Sequence, residues 1–159
     1  MELCTKCSKQ PEEEKRKVSE KISINYRYEV YSDNTIKILD LFYGGLQDKA
    51  DGIKISSGYI EASIPDSFDG IKVTTIGEMA FSYFDNLSIV IIPNGITTIC
   101  DRAFLGCSQL IDVTIPDSVI YIGNEAFAGC DLRTVVIPKS VTYIGDKAFI
   151  GCNNVVYKQ

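Results

Sequence analysis

The stretch Leu110-Ile-Asp-Val-Thr-Ile-Pro-Asp-Ser-Val-Ile-Tyr-Ile-Gly-Asn-Glu-Ala-Phe-Ala-Gly-Cys130 decides the fold, because the chain repeats it. The segments Leu87 to Cys107 and Leu132 to Cys152 superimpose on it, with one residue missing after Cys130. Ile-Pro recurs at Pro65, Pro93, Pro116 and Pro138. Ala-Phe recurs at Phe81, Phe104, Phe127 and Phe149, spaced by 23, 23 and 22 residues. A fixed period in this range marks a fold built of stacked coils.

Each position of the repeat has a physical reading. Leu110, Val113 and Ile115 form the inward side of a short β-branched strand. Pro116 has no N–H to give to a ladder and ends that strand. Val119 to Ile122 is a second extended segment, and Gly123 breaks it. Asn124, like Asp101 and Asp146 in their repeats, is placed to cap a one-turn helix carrying Ala126 and Phe127. Gly129 supplies the left-handed residue that closes the turn, and Cys130 follows as a small buried hydrophobe. A single coil has no second layer to cover its apolar side chains. Stacking on neighbours is what buries them, which is the logic of a solenoid. Phe81, Phe104, Phe127 and Phe149 then form one internal column, and Cys107, Cys130 and Cys152 another. Side chains in such a column run parallel, so reduced thiols are expected rather than disulfides.

The phrase I-P-x-S-V-x-x-I-G-x-x-A-F-x-x-C resembles the BspA-like leucine-rich repeats, over about residues 59–157. The resemblance implies an α/β fold, a right-handed leucine-rich-repeat solenoid of short parallel strands and one-turn helices. It also implies a largely non-enzymatic protein of the cell surface or a secreted one, binding other proteins. The chain departs from the pattern at Cys100, where glycine is usual, and at Tyr83-Phe84, which replaces Gly-Cys. It also has five extra residues between Pro65 and Ile76. The last two departures belong to the first repeat, as suits a terminal coil.

Working outward, residues 59–159 hold four repeats and a partial fifth. Residues 22–58 read as an N-terminal β-hairpin cap and loop. Ile22, Ile24, Tyr26, Tyr28 and Val30 alternate, as do Ile36 and Ile38, about the turn residues Ser32 to Thr35. Gly44 to Gly58 is expected to be a loop. Residues 1–21 read as a charged flexible tail, with six positive and five negative charges. Its Cys4-x-x-Cys7 is half of a zinc ribbon without the matching second pair. No metal and no cofactor are expected, with a zinc shared between two chains as the alternative. The start lacks the apolar region of a signal peptide, so a native Met1 would keep the chain in the cytoplasm. Val155-Val156-Tyr157 begins a fifth strand whose edge invites pairing with a partner, including a second copy.

Composition narrows the function. The chain has 159 residues, a net charge of −5 and no histidine. Ser-His and Cys-His catalysis and imidazole acid/base chemistry are therefore excluded. The acidic balance speaks against a nucleic-acid platform, and no apolar run is long enough to insert in a membrane as a helix. The expected function is protein–protein interaction of an adhesion type through the strand face. Aligning the repeats gives one outward column of Glu61, Ile89, Asp112, Thr134 and Tyr157. A second holds Ser63, Ile91, Thr114 and Val136, flanked by Ile60, Ile111, Arg133 and Val156. Solvated strand positions are usually polar, and these apolar ones point to a contact surface. Ile89, Ile91, Asp112, Thr134, Val136 and Tyr157 are the candidate protein-binding residues, and no residue is assigned to catalysis. The alternatives are a structural or self-associating domain of a larger repeat protein and, more remotely, a carbohydrate-active enzyme on a parallel β-helix. Such an enzyme needs two carboxylates about one bond. Glu61 and Asp112 share a column but lie two coils apart.

Overall fold

The computed structural model describes residues 17–22, 26–41, 53–56 and 59–158. Cys4, Cys7 and the Gly44-Gly45 part of the expected loop lie outside them. The strands are β1 (Lys17–Ile22), β2 (Tyr26–Tyr31), β3 (Thr35–Leu41), β4 (Ile53–Ser56), β5 (Tyr59–Ser63), β6 (Ser67–Phe68) and β7 (Ile71–Ile76). The repeats add β8 (Leu87–Ile91), β9 (Thr98–Ile99), β10 (Asp112–Thr114), β11 (Tyr121–Ile122), β12 (Val135–Ile137), β13 (Tyr143–Ile144) and β14 (Val155–Tyr157).

Each coil contributes one strand to each of two ladders. β5, β8 and β10 pair in parallel, as do β12 and β14. The step from β10 to β12 is bridged by Arg133 N–H donating to the Ile111 carbonyl at 3.3 Å. On the other side, β7, β9, β11 and β13 pair in parallel. The N-terminal strands complete both ladders: β3 lies parallel beside β7, β2 and then β1 follow antiparallel, and β4 pairs antiparallel with β5. Tyr26, Tyr28, Val30, Ile36 and Ile38 are buried, so the alternation over these residues does mark the core side.

Three sequence expectations need correction here. Lys17–Ile22 falls within the stretch read as a tail, yet it is an edge strand. Strand addition uses backbone groups, which composition does not reveal, and lysine and glutamate are what exposed edges usually carry. Ile53–Ser56 is a strand rather than loop, and its Ile-Lys-Ile alternation was the available signal.

The third correction concerns the Ala-Phe segments, which are turns and not one-turn helices. The second residue of each, Met79, Arg102, Glu125 and Lys147, has φ between 53° and 57°, a left-handed value that no right-handed helix accommodates. The N–H groups divide their bonds accordingly. Those of Arg102, Phe104 and Gly106 donate to Asn124, Ala126 and Ala128 of the next coil, all at 2.8 Å. Those of Ala103, Leu105 and Cys107 close local turns to Cys100, Arg102 and Phe104. A helix bonds its N–H groups to its own carbonyls and leaves those of its first turn unpaired, whereas here every other N–H bonds to the neighbouring coil.

The capping residues also work between coils. Asp101 accepts hydrogen bonds from the Asn124 N–H at 2.8 Å and the Asn124 amide at 3.2 Å, and the Asn124 oxygen accepts from the Asp146 N–H at 2.8 Å. The coils approach so closely here that a Cβ on Gly123 would lie 2.3 Å from the Asp101 carboxylate and 2.5 Å from its backbone nitrogen. Glycine is therefore dictated by the preceding coil. Residue 78 is glutamate and makes no such bond, and the residue opposite it is the buried Cys100 rather than glycine.

The core is continuous. Phe81, Phe104, Phe127 and Phe149 stack with centroids 4.9, 5.0 and 5.3 Å apart and planes within 13° of parallel. Stacking at the coil spacing follows from repeating one residue at one register position. Cys100, Cys107, Cys130 and Cys152 are free, and Cys107 and Cys130 donate their thiols to the carbonyls of Phe81 and Phe104 at 2.9 and 3.1 Å. The adjoining Cys107 thiol and burial hold Cys130 far above an ordinary thiol, and burial pushes Cys152 up to about 11.

Two outcomes follow from this core. Phe127→Ala should cost about 3–5 kcal/mol in urea unfolding, because both ring neighbours lose their contact; an unchanged midpoint would contradict the stack. Alkylation of native Cys152 should also be slow at pH 8 and keep rising about tenfold per pH unit toward pH 11, since only the thiolate reacts. A rate that levels near pH 9 would show that burial does not protect it.

Candidate interaction surface

The outward side of the first ladder is the surface singled out by the repeat. Strand pairing brings Ile89 beside Asp112 and Ile91 beside Thr114, and places Glu61 and Ser63 in the same two columns. Val136 pairs with Val156. One column thus runs Ser63, Ile91, Thr114, Val136, Val156, with Ile91 45% exposed, Val136 39% and Val156 41%. Asp112 and Thr134 are exposed in the neighbouring column, and Ile89 is half-buried. Beyond Thr134 the next position belongs to Asn154, whose amide lies 3.5 Å from the Thr134 hydroxyl.

Three expected positions move, the candidate Tyr157 and the flanking Ile60 and Val156. Tyr157 is level with Ile137, an inward residue, and not with Thr134. It is exposed because no described strand covers it, and it lies on the inward side of its strand at the open edge, not in the outward columns. The last interval between strands is shorter than the Ala-Phe spacing, which sequence alignment at a fixed period passes over. Ile60 is fully buried: it pairs with Leu87, and a bulge between Ile60 and Glu61 resets the alternation.

Val156 was placed at the flank and belongs in the apolar column itself. The residues missed altogether, Pro93, Asn94, Asp117 and Lys158, lie where the strands end. Ile91, Pro93, Asn94, Thr114, Asp117 and Lys158 border an open groove of about 450 Å³. Lys158 pairs with Asp117 at 2.9 Å across its rim, and both are too exposed for the pair to add much stability. The recurring Ile-Pro corner was the available signal, since it turns each strand away at the same height. The described residues contain no cluster of three or more metal-ligating side chains and no helix long and apolar enough to cross a membrane.

A sheet face that repeats one register, with coils about 20 residues long and an Ile-Pro corner, has known counterparts. The model of the BspA type leucine-rich repeat region matches residues 61–156 in six copies. The chain belongs to this family. It is similar to a leucine-rich repeat protein from Bacteroides capillosus, at 28% identity and a TM-score of 0.69, covering 89% of this chain and 99% of that one. A leucine-rich repeat protein from Bacteroides ovatus is 29% identical with a TM-score of 0.56, over 86% of this chain and 40% of its own. The T. pallidum leucine-rich repeat protein, at 23% identity and a TM-score of 0.59 over 83% of this chain and 67% of its own, shares the fold. No curated protein is significantly similar to the chain.

The geometry makes the outward column separable from the core. Ile91→Asp with Val136→Asp should leave the fold intact, at a cost of no more than about 2 kcal/mol from lost β-propensity. Val113→Asp, whose side chain is 4% exposed, should unfold the repeat region, because it buries an unpaired carboxylate. Circular dichroism melts of the two variants would test this, and equal losses in both would mean that the column is not a free surface.

Proposed function

We propose that this BspA-type leucine-rich repeat protein is a non-enzymatic protein-binding module of an adhesion type that uses the strand face. The observation that carries the reading is the exposed column Ile91, Val136 and Val156 on the solvent side of the first ladder. Apolar side chains at aligned outward positions are retained where a partner covers them, and interface cores are depleted in charge in the same way. Ile89 widens the apolar area. Asp112 and Thr134 lie beside it and give a partner something to orient against. The antiparallel pair β2–β3 serves as the N-terminal cap that keeps the first coil from associating through that end.

Binding energy on such a face concentrates in a few larger groups. The Ile91→Asp, Val136→Asp variant should bind a partner captured by the native protein at least tenfold more weakly, or ~1.4 kcal/mol. Surface plasmon resonance on the folded variant measures this. Unchanged affinity would remove the strand face from the interaction.

A further inference from the structure

Charge on the strand face is divided along the stack. Asp112 and the corner residue Asp117 belong to β10 and the turn after it, whereas Arg133 and the corner residue Lys139 flank β12 one coil on. All four are exposed. Among the described residues, Asp112, Arg133 and Lys139 have no partner of opposite charge, and Asp117 has only the exposed Lys158. Contacts within the chain therefore leave most of this pattern unanswered.

The pattern is complementary to itself. The Arg133 N–H bond to the Ile111 carbonyl sets Thr134 level with Asp112, and Val136 level with Thr114. Consider a two-fold axis in the plane of the face, running along the strands between β10 and β12. It lays β10 of one copy over β12 of the other, and β8 over β14. Thr114 then faces Val136 and Ile91 faces Val156, each contact occurring twice. Asp117 faces Lys139, and Asp112 faces Thr134 with the Arg133 guanidinium one residue away. Aligned sheets packed face to face lie about 10 Å apart, a distance that such side chains span together. The other axis in the face runs along the stack, reverses the strands and lays each coil on its own copy. It turns Asp112 toward Asp117 and Arg133 toward Lys139, like charge against like. An axis on β10 itself sets Asp112 against Asp112 and Asp117 against Asp117. Charge thus selects one register.

We propose that the occupant of the strand face is a second copy of this chain, docked about this axis through the column Ile91, Thr114, Val136 and Val156. The inference rests on the strand-face reading above and adds the partner to it. Its contacts all lie on the side of the stack, so coils added at either end leave them in place. The apolar column fills the middle of the contact, and the charged pairs at its flanks fix the register.

The test is sedimentation velocity of the full chain under reducing conditions, from about 10 μM to about 1 mM. The native protein should pass from monomer to dimer across this range. Asp112→Arg and Arg133→Asp should each weaken the dimer about tenfold, because each sets two like-charge contacts within it. Mixed in equal amounts, the two variants should dimerise with each other as the native chain does with itself, since each contact across the mixed pair again joins Arg to Asp. Asp117→Lys and Lys139→Asp form a second pair with the same expected behaviour. A native chain that stays monomeric, mixtures no more associated than their parts, or growth beyond the dimer would overturn the proposal. So would a dimer that Ile91→Asp with Val136→Asp leaves equally tight. The strand-face reading fails separately, through unchanged affinity of that double variant for a captured partner.

Discussion

A coil of this repeat cannot bury its own apolar side chains, and the whole structure depends on that deficit. Phe127 is fully buried because Phe104 lies on one side and Phe149 on the other. The backbone follows the same rule. On the turn side, alternate N–H groups leave their own coil and bond to the next, so hydrogen bonding and apolar burial are both properties of the junction between coils. Stability is then a sum of junctions, and a loss at one of them reaches both neighbours.

The same dependence explains residues that look arbitrary one coil at a time. Gly123 and Gly145 answer to Asp101 and Asn124 in the preceding coils, and Gly77 answers to the carbonyl of Ile38. The left-handed φ at Arg102 and Glu125 is a strain that non-glycine residues rarely accept. It accompanies a turn whose alternate N–H groups bond to the neighbouring coil. Arg102 and Glu125 themselves form a salt bridge at 2.7 Å along the outside of this ladder. Exposed pairs of that kind tune the surface and do not hold the coils together.

Much of this was legible in the sequence, because periodicity reports register directly. The Phe and Cys columns, the inward set Leu110, Val113 and Ile115, and the buried alternation from Tyr26 to Ile38 all follow from spacing alone. What escaped had causes that spacing does not carry. A helix and a turn with a left-handed second residue share the same capping residue and the same Ala-Phe, so Asn124 pointed equally to both. β1 is held by backbone pairing, to which side-chain composition is indifferent. In the candidate surface, Ile91, Val136, Asp112 and Thr134 lie where alignment put them, whereas Tyr157 and Ile60 do not. A shortened interval and a bulge each shift the register by less than a coil, and both changes are silent in the one-letter pattern.

Native-state hydrogen exchange measures the central claim most directly. If inter-coil bonding and stacking form one cooperative unit, the amides of Phe104, Gly106, Phe127 and Gly129 should exchange only through global unfolding. Their protection should then match that of the strand amides of Val113 and Val135. Turn-side amides that exchange orders of magnitude faster than those strands would show instead that the coils are held by their strands alone, and that the Ala-Phe turns are passengers.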